Sequence, residues 1–206
     1  LMGWYMVMSG LADRVDVSQY RLAAHLTLAA LIFTGLIWVM LDIGERRTTR
    51  LKVGPVALVL LIIVQIFTGA LVAGLDAGLT YNTWPLMDGE FIPAGLFSET
   101  PAWRNLFENI LTVQFQHRMR AYLVVIAVID EARKSIRRGP EAAESPAWTM
   151  VVIVIVQLAL GIATLLAVVP LSLALMHQAG AFLLLAVAIW HLHSAATPER
   201  RASPGA

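Results

Sequence analysis

Three histidines, His25, His117 and His177, are the residues of this sequence with the greatest capacity for chemistry, since each lies a few residues inside a strongly apolar segment. An imidazole can ligate a metal or move a proton near neutral pH. Two cations, Arg118 and Arg120, follow His117 at the point where a long polar loop enters such a segment. An ionisable group in apolar surroundings is costly to bury, so its presence there predicts a functional site.

The composition places these residues in a membrane. The 206 residues are 58% hydrophobic and 14% charged, with a mean hydropathy of +0.72, whereas soluble domains are about 45–50% apolar. The formal net charge of +1 and the spread of basic residues over several loops give no patch for nucleic acid, so no nucleic-acid partner is expected. Cysteine is absent, which excludes disulfides, iron–sulfur clusters and covalently attached haem.

The apolar pattern predicts an all-α integral membrane protein with five visible transmembrane helices. Each predicted segment is long enough to cross about 30 Å of hydrocarbon. The predicted helices cover residues 19–41, 55–75, 110–131, 146–168 and 171–193. Residues 1–11 resemble the end of a further helix, and residues 76–109 form a long connection rich in aromatic side chains, either an interfacial belt or a lid over a site.

The basic residues indicate the orientation. Ten of the fifteen Lys and Arg residues lie in the loops around residues 46–52 and 133–138 and in the tail at 200–201. Since these three regions alternate onto one side, the positive-inside rule makes that side the cytoplasm. The N-terminus then lies outside the cytoplasm and the C-terminus inside it.

The orientation brings the three histidines to one depth. Helices 19–41, 110–131 and 171–193 run in the same direction, and each carries its histidine about 10 Å below the outer boundary at about 1.5 Å per residue. Two opposed imidazoles in a four-helix bundle could hold a porphyrin iron non-covalently. Arg118 and Arg21 would then be available for the haem propionates. The alternative is that these histidines are structural or interfacial.

Other polar residues have simpler interpretations. His191 and His193, near the opposite end of the last helix, are predicted to be interfacial. Gln65 and Gln157, in the middle of two helices, are expected to form hydrogen bonds between helices. A small-residue pair, Gly74 and Gly78, is expected to serve helix packing.

An internal repeat indicates a protein of two halves. Residues 59–69 (VLLIIVQIFTG) resemble residues 151–161 (VVIVIVQLALG), with glutamine and glycine in step. A second alignment pairs Gly3 and His25 with Gly161 and His177. Residues 1–52 are thus predicted to end one four-helix half, residues 53–194 to form a second, complete half, and residues 195–206 to be a cytoplasmic tail. His25 would be the fourth-helix ligand of the first half.

Several motifs closely resemble the haem A synthase family, in its alphaproteobacterial and mitochondrial branch. They cover nearly all of the chain: residues 3–7 (GWYMV), 9–11 (SGL), 17–26 (VSQYRLAAHL), 73–78 (AGLDAG), 81–89 (YNTWPLMDG), 105–109 (NLFEN) and 114–118 (QFQHR). The resemblance implies eight transmembrane helices in two pseudo-symmetric four-helix bundles. It also implies oxidation of the C8 methyl of haem O to the formyl of haem A, for cytochrome c oxidase biogenesis.

The resemblance assigns roles to the histidines. His117 and His177 match the ligands of a haem b in the second half, and His25 matches a ligand of the substrate haem in the first half, a catalytic position. The chain would then begin near the end of the third helix, without the partner of His25 and without the catalytic acid of the first outer loop. Haem O synthase, cytochrome c oxidase assembly factors, membrane lipid and a second copy of the chain are the implied partners.

Two rival functions share these features. A b-type membrane cytochrome would use the same histidine pair for electron transfer and leave its haem unmodified. A haem-free transporter or assembly factor would have structural histidines, but broken helices and charges at mid-membrane, which favour transport, are not evident in the sequence.

Overall fold

A computed structural model describes residues 3–4, 17–43 and 49–198. The long helices are α1 (Gln19–Asp42), α2 (Val53–Gly74), α4 (Ile110–Arg138), α5 (Glu144–Leu166) and α6 (Leu171–Ala195). A short helix, α3 (Ala77–Thr80), and two 3-10 turns, Ala102–Leu106 and Glu141–Ala143, lie in the connections. A helix is therefore present in each of the five predicted segments, with boundaries that differ mainly at the C-terminal end of α4. The predictions for residues 5–16, 44–48 and 199–206 lie outside the described residues.

Four helical spans within the described residues are long and apolar enough to cross a membrane: Gln19–Asp42, Val53–Gly74, Glu141–Leu166 and Leu171–Ala195. The chain is thus a multi-pass membrane protein. Helix α4 is longer, at 29 residues, but falls short of the same hydropathy because its first half carries glutamines, His117 and two arginines. Of the five predicted transmembrane helices, four therefore have both the length and the hydropathy of a membrane span, and α4 has the length alone.

The core lies between the helices of the bundle. Helices α2, α4, α5 and α6 surround an apolar cluster in which Ile62, Val128, Met150, Leu185 and Ile189 are almost completely buried. Helix α1 packs against α2 and α6. Large apolar side chains also point outward from the middle of the helices, as a hydrocarbon environment requires: Leu31, Ile32, Leu36, Leu60, Ile126, Val152, Ile155 and Leu183.

The small-residue pair at the end of α2 serves packing, as predicted. A Cβ atom at Gly74 would lie 2.6 Å from the Cα atom of Gln19, and one at Gly78 would lie 2.7 Å from a methyl group of Val169. Contacts this short require the residue to be glycine for reasons of space. Gly74 therefore sets the distance between α1 and α2 at this end of the bundle.

At the opposite end, His191 is not the interfacial residue that its sequence position predicted. Its side chain is 0% exposed, and its Nε2 lies 3.2 Å from Ser135 Oγ and 3.7 Å from Glu131 Oε1, both on α4. The Glu131 carboxylate occupies space left by Gly54 in the first turn of α2. The interfacial prediction is wrong for His191 because a polar pocket contributed by two other helices encloses the end of α6.

The same end of the bundle carries a two-residue antiparallel strand pair. Strand β1 (Thr49–Arg50) pairs with strand β2 (Thr197–Pro198), with Thr49 opposite Pro198 and Arg50 opposite Thr197. The connection between α1 and α2 and the segment that follows α6 therefore meet at one end of the molecule. This agrees with the prediction that both lie on one side of the membrane.

Candidate metal-binding cavity

A cavity of about 490 Å³ opens among α1, α2, α4, α5 and α6. Its volume falls within the range of about 300–1,000 Å³ typical of cofactor and small-molecule sites. Leucine, isoleucine, valine and alanine form most of the wall. The polar and aromatic side chains in the lining are Gln65, Asp76, Trp84, Gln114, His117, Arg118, Tyr122, Gln157, Thr164, His177, Gln178 and Phe182.

Two of the three predicted histidines line this cavity. His117 is the eighth residue of α4, counted from Ile110, and His177 is the seventh residue of α6, counted from Leu171. Both helices start at the end of the bundle that carries the long connection, so the two imidazoles lie at a similar depth. The structure thus brings His117 and His177 to one apolar space, as the sequence predicted.

Helix α2 supports His117 from beside its ring. The Gln65 side chain donates from Nε2 to the backbone carbonyl of His117 at 3.1 Å. One turn further along α2, a Cβ atom at Gly69 would lie 3.1 Å from Cε1 of the ring. The glutamine therefore holds the backbone of the histidine, and the glycine leaves room for its imidazole.

Helix α5 repeats this arrangement at His177. The Gln157 side chain donates from Nε2 to the backbone carbonyl of His177 at 2.8 Å, and a Cβ atom at Gly161 would lie 2.8 Å from Cε1 of the ring. Hydrogen bonds between helices were predicted for both glutamines and are confirmed. Sequence reasoning missed that each glycine accommodates an imidazole, although the repeat of glutamine and glycine four residues apart was the available signal.

His25 and Arg21 are not part of this cavity lining. His25 is the seventh residue of α1, counted from Gln19, and its Cε1 atom lies 3.5 Å from the position of a Cβ atom on Gly3. Its Nδ1 is buried with no hydrogen-bond partner among the described residues. The proximity of Gly3 and His25 matches the pairing of Gly161 with His177 that the second sequence alignment indicated. Arg21 lies one turn before His25 on the same helix.

Arg118 connects the cavity to the long connection. Its Nη1 donates to the Thr83 carbonyl at 2.8 Å and its Nη2 to the Tyr81 carbonyl at 2.8 Å. Gln114 also donates to the Tyr81 carbonyl, at 2.8 Å, and Trp84, which lines the cavity, donates to the hydroxyl of Tyr122 at 3.0 Å. Of the two interpretations left open for this connection, these contacts favour a cover over the site.

The donor set fits a porphyrin iron. Among the described residues, no three His, Cys, Asp or Glu side chains group as a metal site, whereas an iron porphyrin brings four nitrogen ligands and needs only two from the protein. His117 and His177 can supply those two. Within the described part of the chain, His177 Nδ1 and Arg118 Nε are buried without partners, so polar groups remain at the cavity for a ligand to satisfy.

Comparison with known proteins identifies the family. The family model described as COX15-CtaA, cytochrome oxidase assembly protein, matches residues 1–189. The chain belongs to this COX15-CtaA family. Similar members include the heme A synthase of Parvibaculum lavamentivorans, 53% identical over 200 residues, and that of Chelativorans sp., 48% identical over 208 residues.

The chain spans little more than half the length of the curated family members it matches. The alignments cover 94% of this chain and 56% of the Parvibaculum protein, and 98% of this chain and 58% of the Chelativorans protein. The heme A synthase of Rhizobium meliloti is 47% identical, covering 92% of this chain and 53% of that protein. No solved structure shows significant similarity to the chain.

Proposed function

We propose that this chain is the haem b-binding part of a haem A synthase, in which His117 and His177 would hold the haem iron. Three curated relatives at 47–53% identity carry the name heme A synthase. The observation that carries the proposal is the pair of histidines, each supported by a glutamine and a glycine, on one apolar cavity.

The proposed reaction of the whole protein is oxidation of the C8 methyl of haem O to the formyl of haem A, with oxygen derived from water. This conversion removes electrons and protons from the substrate, so it requires an electron acceptor outside the site. A bound haem b supplies a one-electron redox centre. His25, apart from the His117–His177 cavity and beside Gly3, is proposed to serve the substrate haem in the first half.

The residues of this chain perform binding, orientation and exclusion of water. His117 and His177 would hold the iron, while Gln65 and Gln157 fix the backbones of these two histidines through their carbonyls. The apolar wall would keep water from the bound cofactor. Arg118, whose Nε has no hydrogen-bond partner among the described residues, is proposed to bind a propionate, and the connection that its other nitrogens hold is proposed to cover the opening. Arg21 is proposed to bind a propionate of the substrate haem at the first-half site.

The wider organisation is proposed from the same resemblance. Helix α1 closes the first four-helix half, and α2, α4, α5 and α6 form the second, so that five transmembrane helices are visible. The protein is proposed to lie in a bacterial inner membrane with the α1–α2 connection in the cytoplasm. Proposed partners are haem O synthase, assembly factors of cytochrome c oxidase and a second copy of the protein.

A b-type cytochrome that transfers electrons without modifying haem is the second candidate. The same cavity and histidine pair would serve it equally well, since both functions need two axial ligands in apolar surroundings. The two candidates differ in the products that accumulate, because only the synthase forms hydroxylated or formyl haem.

The test is a reduced-minus-oxidised spectrum of the purified protein in detergent, with the extracted haems identified by chromatography. A bis-histidine haem b spectrum that is lost in His117→Ala and in His177→Ala, but kept in His193→Gln, is expected. Haem O and its oxidised products in the extract would support the synthase over the cytochrome. A haem spectrum that neither alanine variant changes would show that His117 and His177 do not bind the haem in this cavity.

A further inference from the structure

Thr68 completes a hydrogen-bonded chain behind His117. Its Oγ1 lies 3.1 Å from the backbone carbonyl of Gln65, to which its hydroxyl donates, and 3.2 Å from Nδ1 of His117. Thr68 is 2% exposed. A hydroxyl has one proton to donate and lone pairs with which to accept. A carbonyl oxygen can only accept, so both contacts are satisfied together only when the hydroxyl donates to Gln65 and Oγ1 accepts from Nδ1–H of His117.

This polarity fixes the tautomer of the imidazole. If Oγ1 accepts, Nδ1 of His117 carries the ring proton, and the lone pair of Nε2 is free for a metal. The amide nitrogen of Gln65 also lies 3.1 Å from Nδ1 and 3.4 Å from Nε2. An atom in line with the lone pair of one ring nitrogen would be much farther from the other. Gln65 Nε2 therefore lies beside the ring rather than in line with either nitrogen lone pair, and it donates one of its two protons to the His117 carbonyl.

The repeat shows that the second histidine lacks this partner. Thr68 follows Gln65 by three residues, and the residue three positions after Gln157 is Leu160. Accordingly, Nδ1 of His177 has no hydrogen-bond partner among the described residues. The two sites thus share glutamine, glycine and histidine, but only His117 has a threonine hydroxyl beside its Nδ1 among the described residues.

We propose that Thr68 is a positioning residue that holds His117 as the Nδ1-protonated tautomer, so that the two haem ligands are electronically unequal. The inference rests on the proposed haem site. A partner that accepts from the outer nitrogen of a metal-bound imidazole fixes the ring and raises the basicity of the ligating nitrogen. His117 is then the stronger and better oriented ligand, and His177 the weaker one.

The first test compares Thr68→Val, which keeps the shape and removes the hydroxyl, with Thr68→Ser, which keeps the hydroxyl. Loss of a partner behind a metal ligand weakens metal binding by about 10–100-fold. Thr68→Val is therefore expected to retain haem at least about tenfold less tightly and to raise its midpoint potential, while Thr68→Ser stays close to the parent protein. In haem-free protein, ¹⁵N NMR is expected to show the Nδ1-protonated form of His117, and to lose that preference in Thr68→Val.

The second test reverses the asymmetry and does not depend on the folding of the valine variant. Leu160→Thr places a hydroxyl at the matching position beside His177 and is expected to lower the haem midpoint potential. If Thr68→Val and Leu160→Thr both leave haem affinity, potential and the ¹⁵N signals unchanged while His117→Ala loses the haem, the role of Thr68 is overturned and the haem site stands. If His117→Ala keeps the haem, the proposed site itself is wrong.

Discussion

Gly161 lies directly against the imidazole of His177. A Cβ atom at this position would be 2.8 Å from Cε1, 3.4 Å from Nδ1 and 3.5 Å from Nε2. Gly161 lies within helix α5, where glycine costs about 1 kcal/mol relative to alanine. The requirement is thus for space beside the ring, and it outweighs the cost to the helix.

Gly161→Ala is therefore expected to displace His177 and to reduce haem retention by about tenfold or more, since a ligand moved by a few tenths of an ångström no longer meets the iron correctly. Gly69→Ala should have a weaker effect on His117, because its Cβ atom would lie at 3.1 Å. The measurement is the haem-to-protein ratio after purification. Gly35→Ala is the matched control, since nothing lies within 4 Å of a Cβ atom there; equal haem loss in all three variants would refute the steric explanation.

Gly74→Ala is expected to destabilise the packing of α1 on α2. The added Cβ atom would lie 2.6 Å from the Cα atom of Gln19, and backbone cannot move aside as a flexible side chain can. Overpacking of this kind costs about 1–3 kcal/mol. Thermal unfolding in detergent measures the effect, again against Gly35→Ala. An unchanged midpoint would mean that α1 is not held at this distance.

Arg118→Lys is expected to loosen the segment that covers the cavity. The arginine reaches the carbonyls of Tyr81 and Thr83 through two different nitrogens, which a single ammonium group cannot reproduce. Each hydrogen bond from a charged donor contributes about 1.5–3 kcal/mol. Faster amide exchange is expected in residues 79–88. Arg120→Lys is the control, because the hydrogen bond of Arg120 goes to Gln116 on its own helix.

Glu108 links α1 to the long connection in a manner that depends on pH. Its carboxylate accepts from the Tyr20 hydroxyl at 2.8 Å and from Nε of Arg104 at 2.5 Å. These two hydrogen bonds hold the pKa of Glu108 below its ordinary value, and the bond from Tyr20 contributes more than the bond from Arg104. A lowered pKa in the folded state means that the contact is complete above the unfolded value, about 4.3, and is lost as the pH falls through the lower folded value.

The measurement for this contact is a ¹³C NMR titration of the Glu108 carboxylate. Tyr20→Phe is expected to raise the pKa of Glu108 toward its ordinary value, since the larger of its two hydrogen-bonding contributions is removed. Glu108→Gln should make the link insensitive to acid. A titration curve that is the same in the parent protein and in Tyr20→Phe would show that the tyrosine does not stabilise the charged carboxylate.

The sequence predicted the long helices well because their apolar runs are sharply bounded. The predicted end of α4 was residue 131, because the charged residues after the apolar run were assigned to a loop. In the structure these residues continue the helix to Arg138. The burial of His191 could not be predicted, because it depends on Glu131 and Ser135 from another helix. Depth grouped three histidines, and the internal repeat and the family resemblance separated the pair His117 and His177 from His25. The contacts of Gln65, Thr68 and Gly161 with the two rings could not be predicted, because they arise only when helices pack.

The position of His177 on α6 has a consequence for biosynthesis. A chain made from its N-terminus delivers α4, with His117, to the membrane before α6. Until α6 has inserted, the wall of the cavity is incomplete and a haem would find one axial ligand. For the proposed haem site, loading of the cofactor is therefore expected to follow the insertion of α6, and a chain stalled before residue 171 would expose an incomplete pocket with a single imidazole.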